Sequence, residues 1–362
     1  MAAAPLPSPK LLLSGLDSLY VSCYLEVGDS NLDFDELAFQ KERVGQSRID
    51  EFYEIQLGSE TFALRPFGKF PYKYVLANEQ MEIRLSENLR PGCYVQFYCN
   101  GLWLNGIDNL WSRFVDWCNG LNLYASRPET VSRADWAFDY CIPIVDFDLK
   151  NFATRAAKNA VYSEHSKMQT IVFGKGDTVI RIYDKVAEIE QQSGKAFFFE
   201  LWGQTEDVWR IEFQLRRGRL KRAGINTMED LNDYQNDALR TLAQQHTTLR
   251  RPVPDRNKSR WPLHPLWKQL LADINKLPQT GLVEDFNPAA PLHWRVYQQG
   301  KSIHGMLKGL ATLLSLQERL PQDPALQDVL HKLNDVLKPH HNPDIWNADI
   351  EKRRTAHRLG QW

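Results

Sequence analysis

The sequence lacks the features that mark secreted, membrane-spanning and nucleotide-binding proteins. Its N-terminal segment contains one lysine and a run of only three leucines at residues 11–13. That run is too short for the apolar core of a secretory signal, and far too short to cross a bilayer. Neither a GxGxxG nor a GxxxxGK[ST] loop occurs anywhere in the chain. We therefore expect a soluble, cytoplasmic protein without membrane contacts, and one that does not bind nucleotides through these loops.

Cysteine is scarce and is not spaced for a disulfide framework or a zinc site. The five cysteines are Cys23, Cys93, Cys99, Cys118 and Cys141. Their number is odd and no CxxC pair is present, which favours reduced side chains that serve in packing. His165, His340 and His341 have no ligand spacing with a cysteine or a third histidine. The sequence therefore predicts no zinc site.

An overall basic excess is also missing, because the formal net charge is −1. Positive charge is concentrated locally instead. Residues 210–222 carry six basic side chains against one acid, and residues 250–260 carry five against one. Such runs are as often solvated surface as contacts to phosphate. If the protein binds nucleic acid, we expect Arg216, Arg217, Arg219, Lys221 and Arg222 to contribute.

Strand-forming segments dominate the first part of the chain, and helical patterns dominate the rest. The predicted strands cover residues 16–27, 72–77, 81–85, 92–104, 134–145, 168–174, 177–185 and 208–216. The predicted helices cover residues 106–121, 148–161, 228–245, 293–320 and 324–338. The class expected is α+β, an antiparallel β-sheet with flanking helices followed by a helical C-terminal region. We divide the chain into a tail (1–14), a sheet domain (15–225) and a helical region (226–362) for DNA, partner or oligomer contacts.

Three of these strands place polar side chains on one face. Side chains alternate along a strand, so residues two apart share a face. The groups sharing a face are Arg133, Asp135 and Asp139; Arg181, Tyr183 and Lys185; and Arg210, Glu212 and Gln214. Taken one at a time, such faces are ordinary solvent-facing sides of antiparallel strands. Three in one domain suggest a shared site.

The residue types on these faces suit phosphoryl transfer. Carboxylates are the ligands that Mg²⁺ and Mn²⁺ prefer, and both ions also bind phosphate oxygens. A tyrosine beside lysine and arginine is suited to attack phosphorus, since the cations favour the phenolate and neutralise charge in the transition state. Simpler interpretations remain for single residues. Tyr183 could be a packed strand tyrosine, Glu188 could begin a helix, and Asp139 could lie at a strand end.

The three segments RADWAFDY, TIVFGKGDTVIRIYDKVAE and WRIEFQLRR, in this order, resemble the Rep_trans family of replication initiation factors. The YDK followed by Glu188 is the most specific part of the resemblance, which covers residues 15–225. The family includes initiators of small rolling-circle plasmids and filamentous phages, and relaxases of some conjugative elements. Like the family, this chain has no His-hydrophobe-His metal motif. Its GKGD turn is shorter than the turn typical of the family.

The resemblance implies a DNA-nicking and strand-joining enzyme that starts rolling-circle replication through a 5′-phosphotyrosyl intermediate. It implies Tyr183 as the nucleophile, with Mg²⁺ or Mn²⁺ as cofactor. It implies Asp135, Asp139 and Glu212 as metal ligands. The cations implied are Arg181 and Lys185 in catalysis, and Arg133 and Arg210 in DNA contacts. The implied partners are origin DNA, single-stranded or melted, a host helicase and a second copy of the chain.

Two other functions fit the same residues. A catalytically silent origin- or operator-binding protein could use the same sheet and basic runs without cutting DNA. A hydrolase could use Asp135 and Asp139 as a carboxylate pair for acid–base chemistry. Asp17, at the start of the first predicted strand, is a further candidate acid.

Overall fold

The computed structural model describes residues 8–26, 30–47, 52–164, 167–277 and 289–358. The chain divides into two compact units, Met1–Asp285 and Phe286–Trp362. Among the described residues, the first unit holds the sheet and eight α-helices, and the second holds three α-helices.

Most strands of the first unit join one antiparallel sheet. The strands are β1 (Lys10–Cys23), β2 (Leu25–Glu26), β3 (Tyr53–Leu57), β4 (Glu60–Leu64), β5 (Tyr74–Ala77), β6 (Met81–Leu85), β7 (Cys93–Phe97), β8 (Tyr124–Ala125), β9 (Thr130–Cys141), β10 (Phe152–Thr154), β11 (Asn159–Glu164), β12 (Lys167–Phe173), β13 (Thr178–Asp184), β14 (Val208–Arg216) and β15 (Thr247–Leu249). In the described part of the chain, eleven strands pair in the order β11-β12-β13-β14-β9-β1-β7-β6-β5-β4-β3. The pairs β10-β15 and β2-β8 lie outside this sheet.

Helices flank the sheet and follow it. They are α1 (Phe34–Gln46), α2 (Cys99–Asn105), α3 (Ile107–Gly120), α4 (Lys185–Glu188), α5 (Phe197–Trp202), α6 (Arg217–Arg222), α7 (Met228–Thr241), α8 (Pro265–Asn275), α9 (Ala289–Leu316), α10 (Leu326–Leu337) and α11 (Pro343–Arg358). Capping residues explain several of their starts. Asp33 accepts a hydrogen bond from the Glu36 amide at α1, and Thr227 with Asp230 forms a reciprocal capping box at α7. The predicted α+β class is confirmed.

The alternation of side chains gives the central sheet one apolar and one polar face. On β9, Ala134, Trp136, Phe138 and Tyr140 belong to the main hydrophobic core. Helices α3, α7 and α8 contribute apolar side chains to the same core, among them Trp267, which is fully buried. Burial of this face accounts for most of the stabilisation. The opposite face carries the predicted polar groups.

Two predicted elements are wrong. Residues 148–161 were expected to form a helix, but they form a 3-10 turn followed by β10 and β11. Asp148 and Asn151 cap each other across that turn, and Phe152 then pairs with Leu249 in an extended backbone. Residues 92–104 were expected to form a long strand broken near Asn100 and Gly101, but the strand ends at Phe97 and helix α2 begins at Cys99.

The first unit extends beyond the predicted end of the sheet domain at residue 225. Helices α7 and α8 lie within it because their apolar side chains, including Leu231, Leu239 and Leu270, pack into the main core. Residues 10–14, assigned to an N-terminal tail, are part of β1. Residues 1–7 of that tail lie outside the described residues. No described helix is long and apolar enough to span a membrane.

Candidate active site

The strand register brings the three predicted polar faces onto one surface. Arg181 on β13 lies opposite Glu212 on β14, and Tyr183 lies opposite Arg210. Arg210 in turn lies opposite Asp139 on β9. Directly opposed residues of an antiparallel pair share a face. The adjacency of β13, β14 and β9 therefore unites residues that are about 75 positions apart in sequence.

Tyr183 and Glu212 form a hydrogen-bonded pair at the centre of this surface. The Tyr183 hydroxyl donates to Oε2 of Glu212 at 2.9 Å, and Nη1 of Arg181 donates to Oε1 of Glu212 at 2.6 Å. The tyrosine is 9% exposed. Burial, followed by the negative charge of Glu212, raises the pKa of Tyr183 well above its ordinary value. The resting phenol is therefore protonated and held against a proton acceptor.

Lys185 lies beside the tyrosine but points toward a different acid. It is buried, donates to Glu188 one helical turn onward, and places Nζ 5.8 Å from the centre of the Tyr183 ring. Asp184 caps α4 by accepting from the Ala187 amide, which fixes where the lysine leaves the strand. Burial and then the nearby Arg210 lower the pKa of Lys185. The YDK-plus-Glu188 pattern thus forms an ion pair under the tyrosine.

Asp135 lies opposite Gln214, two residues along β14 from Glu212 and on the same face. Its carboxylate accepts from Nε of Arg133 at 2.9 Å. Burial raises the pKa of Asp135 to about 6, and the charge of Glu212 adds to this, although the hydrogen bond from Arg133 opposes the rise. Two carboxylates that repel each other in a buried site are a suitable donor set for a divalent cation.

Asp139 has a different environment from Asp135. It is fully buried, and Arg210 donates to it from Nε at 2.6 Å and from Nη2 at 2.8 Å. Trp202 on α5 donates a third hydrogen bond at 2.9 Å. Arg210 is itself fully buried and also donates to Asp17 at 2.7 Å. Arg210 and Trp202 thus satisfy both carboxylate oxygens of Asp139, and neither Asp139 nor Arg210 is exposed to solvent.

The predicted metal ligands therefore do not converge as a set of three. Among the described residues, no three histidine, cysteine, aspartate or glutamate side chains are grouped as a metal ion would require. Asp135 and Glu212 are close enough to repel each other, whereas the carboxylate of Asp139 is enclosed by Arg210 and Trp202. Asp139 is therefore not grouped with Asp135 and Glu212 in the three-carboxylate site implied by the resemblance.

The basic run at the end of β14 has mixed roles. Arg216, Lys221 and Arg222 are exposed. Arg217 instead donates to the carbonyls of Val131 and Ile225, so it holds a turn together. A cavity of about 350 Å³ is lined by basic and hydroxyl side chains, including Arg155, Arg219, Arg222 and His246. Only part of the run is thus available to a phosphate backbone.

Sequence reasoning missed the residues that enclose the buried arginine. Trp103 on α2 donates to Asp17 at 3.0 Å, and the ring of Phe198 on α5 lies 4.5 Å from the guanidinium of Arg210. Asp17 was a candidate acid, but its role as a second partner of Arg210 was not foreseen. Trp103 on α2 and Trp202 on α5, the two tryptophans near Arg210, lie in short helices with no polar pattern of their own. Nothing in their local sequence indicated a partner on the sheet.

Comparisons with known proteins find a likeness among solved structures. No protein-family model matches the chain, and no curated protein matches it. A solved structure of a rolling circle replication initiator protein from Geobacillus stearothermophilus is similar, with 21% sequence identity and a TM-score of 0.45. The likeness covers 74% of this chain and 98% of that chain.

Proposed function

We propose that this protein is a replication initiator that nicks and rejoins single DNA strands, with Tyr183 as the nucleophile. The observation that carries the proposal is the hydrogen bond from the Tyr183 hydroxyl to Glu212, with Arg181 on the other oxygen of the same carboxylate. A nucleophile, a proton acceptor and a cation are thereby arranged around one point. The resemblance of these strands to Rep_trans proteins supports DNA as the substrate.

In the proposed reaction the phenol oxygen of Tyr183 attacks the scissile phosphorus while its proton passes to Glu212. The new bond joins the tyrosine oxygen to phosphorus, and the bond from phosphorus to the 3′ oxygen breaks. That oxygen takes up a proton and leaves as a free 3′-hydroxyl, which can prime synthesis. A later attack by a 3′-hydroxyl on the phosphotyrosine rejoins the strand and returns the proton to the phenol. Arg181 offsets the charge that gathers on the phosphate.

The divalent ion is part of this proposal. Asp135 and Glu212 would hold Mg²⁺ or Mn²⁺, because they supply oxygen donors that repel each other in a buried site. When bound, the ion would orient and polarise the scissile phosphate. Arg181, which now neutralises Glu212, would then be available to the DNA backbone.

A non-catalytic DNA-binding protein is the alternative. The raised pKa of Tyr183 and its small exposure are compatible with a packed strand tyrosine. The hydrolase alternative has less support, since Asp139 is bound to Arg210 and does not face Asp135 as a free carboxylate. Origin DNA, a host helicase and a second copy of the chain remain the proposed partners.

The deciding experiment is formation of a covalent adduct. The full chain is incubated with end-labelled single-stranded oligonucleotides from its own replicon and Mn²⁺, and the products are separated in SDS. We expect an adduct with wild-type protein and none with Tyr183→Phe, which removes one hydroxyl and should leave folding and DNA binding nearly unchanged. Tyr124→Phe on β8 is a matched control, because Tyr124 is 61% exposed and lies outside the eleven-stranded sheet. An adduct of normal yield in Tyr183→Phe would exclude this nucleophile.

A further inference from the structure

A second polar cluster lies on the same face of the sheet as the active site, over β9, β1, β7 and β6. Tyr20 lies opposite Arg133 and also opposite Gln96, and Tyr94 lies opposite Arg84. These pairings place the cluster three strand spacings across the sheet, about 15 Å. Asp135, the partner of Arg133, connects it to the candidate active site.

The cluster consists of two similar units on neighbouring strands. In one, Asp135 binds Arg133, whose guanidinium lies 4.9 Å from the ring centre of Tyr20. In the other, Glu82 binds Nε of Arg84 at 2.7 Å, and that guanidinium lies 5.1 Å from the ring centre of Tyr94. In both units a carboxylate binds an arginine, and the arginine lies against a tyrosine ring.

The two tyrosines join these units into one platform. Their ring centres are 6.2 Å apart, and Tyr72 adds a third ring 5.9 Å from Tyr94. The side chains of Arg133 and Arg84 are 28% and 18% exposed. Each guanidinium is therefore held by a carboxylate and lies against a ring, while the arginine side chain remains partly exposed.

We propose that this platform, Tyr20, Tyr94, Arg84 and Arg133, binds the unpaired bases of single-stranded DNA next to the active site. Fixed guanidinium planes and aromatic rings are surfaces on which exposed bases stack. The identity of the ligand rests on the proposed function. The stacking role itself follows from the repeated geometry.

The charge of the platform favours bases over phosphates as its main ligand. Its two arginines are each matched by a carboxylate, and Lys69 is bound to Glu82 at 2.7 Å. The excess positive charge is thus small, so attraction to the phosphate backbone would be weak. Such a surface gains affinity chiefly from stacking, which tolerates any sequence.

The experiment compares the binding of oligonucleotides with and without bases by a variant that cannot cut DNA. Full-length chain carrying Tyr183→Phe is titrated with labelled oligothymidylate and with an oligonucleotide of equal length made of abasic sites. Arg84→Lys retains the charge and can keep an ion pair with Glu82, but it removes the planar group. We expect it to weaken oligothymidylate binding about 5- to 100-fold. Binding of the abasic oligonucleotide should change less than twofold.

Tyr94→Leu should have the same selective effect, whereas Tyr124→Leu on β8, which lies outside the eleven-stranded sheet, should have none. Equal losses for both oligonucleotides, or no loss, would overturn the platform. Thermal melting of each variant shows whether folding is retained, and the abasic oligonucleotide reports the same in the binding assay. The two proposals fail separately. If wild-type protein forms the adduct but Arg84→Lys weakens binding of both oligonucleotides equally, the nicking proposal stands and the platform is rejected. If Arg84→Lys weakens only oligothymidylate binding but no adduct forms, the platform stands and the nicking proposal is rejected.

Discussion

The hydrogen bond between Tyr183 and Glu212 determines where the proton of the phenol would go. Since burial holds the phenol in its protonated form, an acceptor is needed at the moment of attack. Glu212→Gln keeps the size of the side chain and an oxygen that can accept the hydrogen bond, but it removes the base and the charge of a proposed metal ligand. We expect adduct formation to fall about 10²- to 10⁴-fold, with DNA binding little changed.

Glu60→Gln is the matched control for this substitution. Glu60 is also buried and bound to an arginine, Arg113, but it lies on β4 near the other edge of the sheet. Initial rates of adduct formation at saturating oligonucleotide measure both variants. A Glu212→Gln protein as active as Glu60→Gln would assign proton removal to another group.

Substitution of Asp135 tests whether the protein uses a divalent ion. If Asp135 and Glu212 hold the ion, Asp135→Asn should weaken metal affinity, so nicking should require more Mn²⁺ and recover partly at high concentration. EDTA should abolish nicking by the wild-type chain, and added Mn²⁺ should restore it. Asp139→Asn provides the contrast, because its carboxylate is occupied by Arg210 and its loss should act through stability. Nicking that is insensitive to EDTA would exclude the metal.

At the scale of elements, the buried Arg210 ties strands β1, β9 and β14 together. Burial alone would raise the pKa of Asp17, but Arg210 and the hydrogen bond from Trp103 outweigh it and hold that pKa below its ordinary value of 3.8. Asp17 therefore contributes stability above pH 3.8, and this contribution is lost as the pH falls through the lowered value. The wild-type protein should lose stability steeply in that acid range.

Asp17→Asn should reduce the unfolding free energy at pH 7 by about 1–3 kcal/mol, because one partner of a buried guanidinium loses its charge. The difference from wild type should shrink as the pH falls below 3.8. Urea titrations at pH 7 and at about pH 3 measure this effect. Glu26→Gln, which breaks an exposed pair with Arg90, should change little at either pH. A pH-independent difference for Asp17→Asn would mean that packing, and not charge, is involved.

The alternation of polar and apolar residues along a strand predicted which side chains share a face. The contacts between residues distant in sequence were not predicted. The alternation in β9, β13 and β14 correctly predicted that Asp135, Tyr183 and Glu212 share the polar face. It gave no information on register, so it could not foresee which carboxylate Arg210 would bind. The apolar positions of residues 148–161 fitted a helix, but pairing of Phe152 with β15 decided the backbone.

At the scale of the whole molecule, a net charge of −1 means that attraction to DNA must come from local surface. Arg216, Lys221 and Arg222 are exposed at the end of β14 and on α6. Arg222 is only loosely paired, 3.9 Å from Asp177. These residues lie beyond the segment of β14 that carries Glu212. We therefore expect them to act in binding and not in the chemical step.

Reversing Lys221 and Arg222 to glutamate should weaken binding to all single-stranded sequences alike. Each lost phosphate contact should lower the slope of log affinity against log salt by about 0.7. Adduct formation at saturating oligonucleotide should survive, because the catalytic residues remain in place. Reversal of the exposed Lys150 and Lys268 controls for the change in net charge. If both double variants keep the wild-type affinity and slope, this run is solvated surface, and the basic segment at residues 250–260 becomes the next region to test.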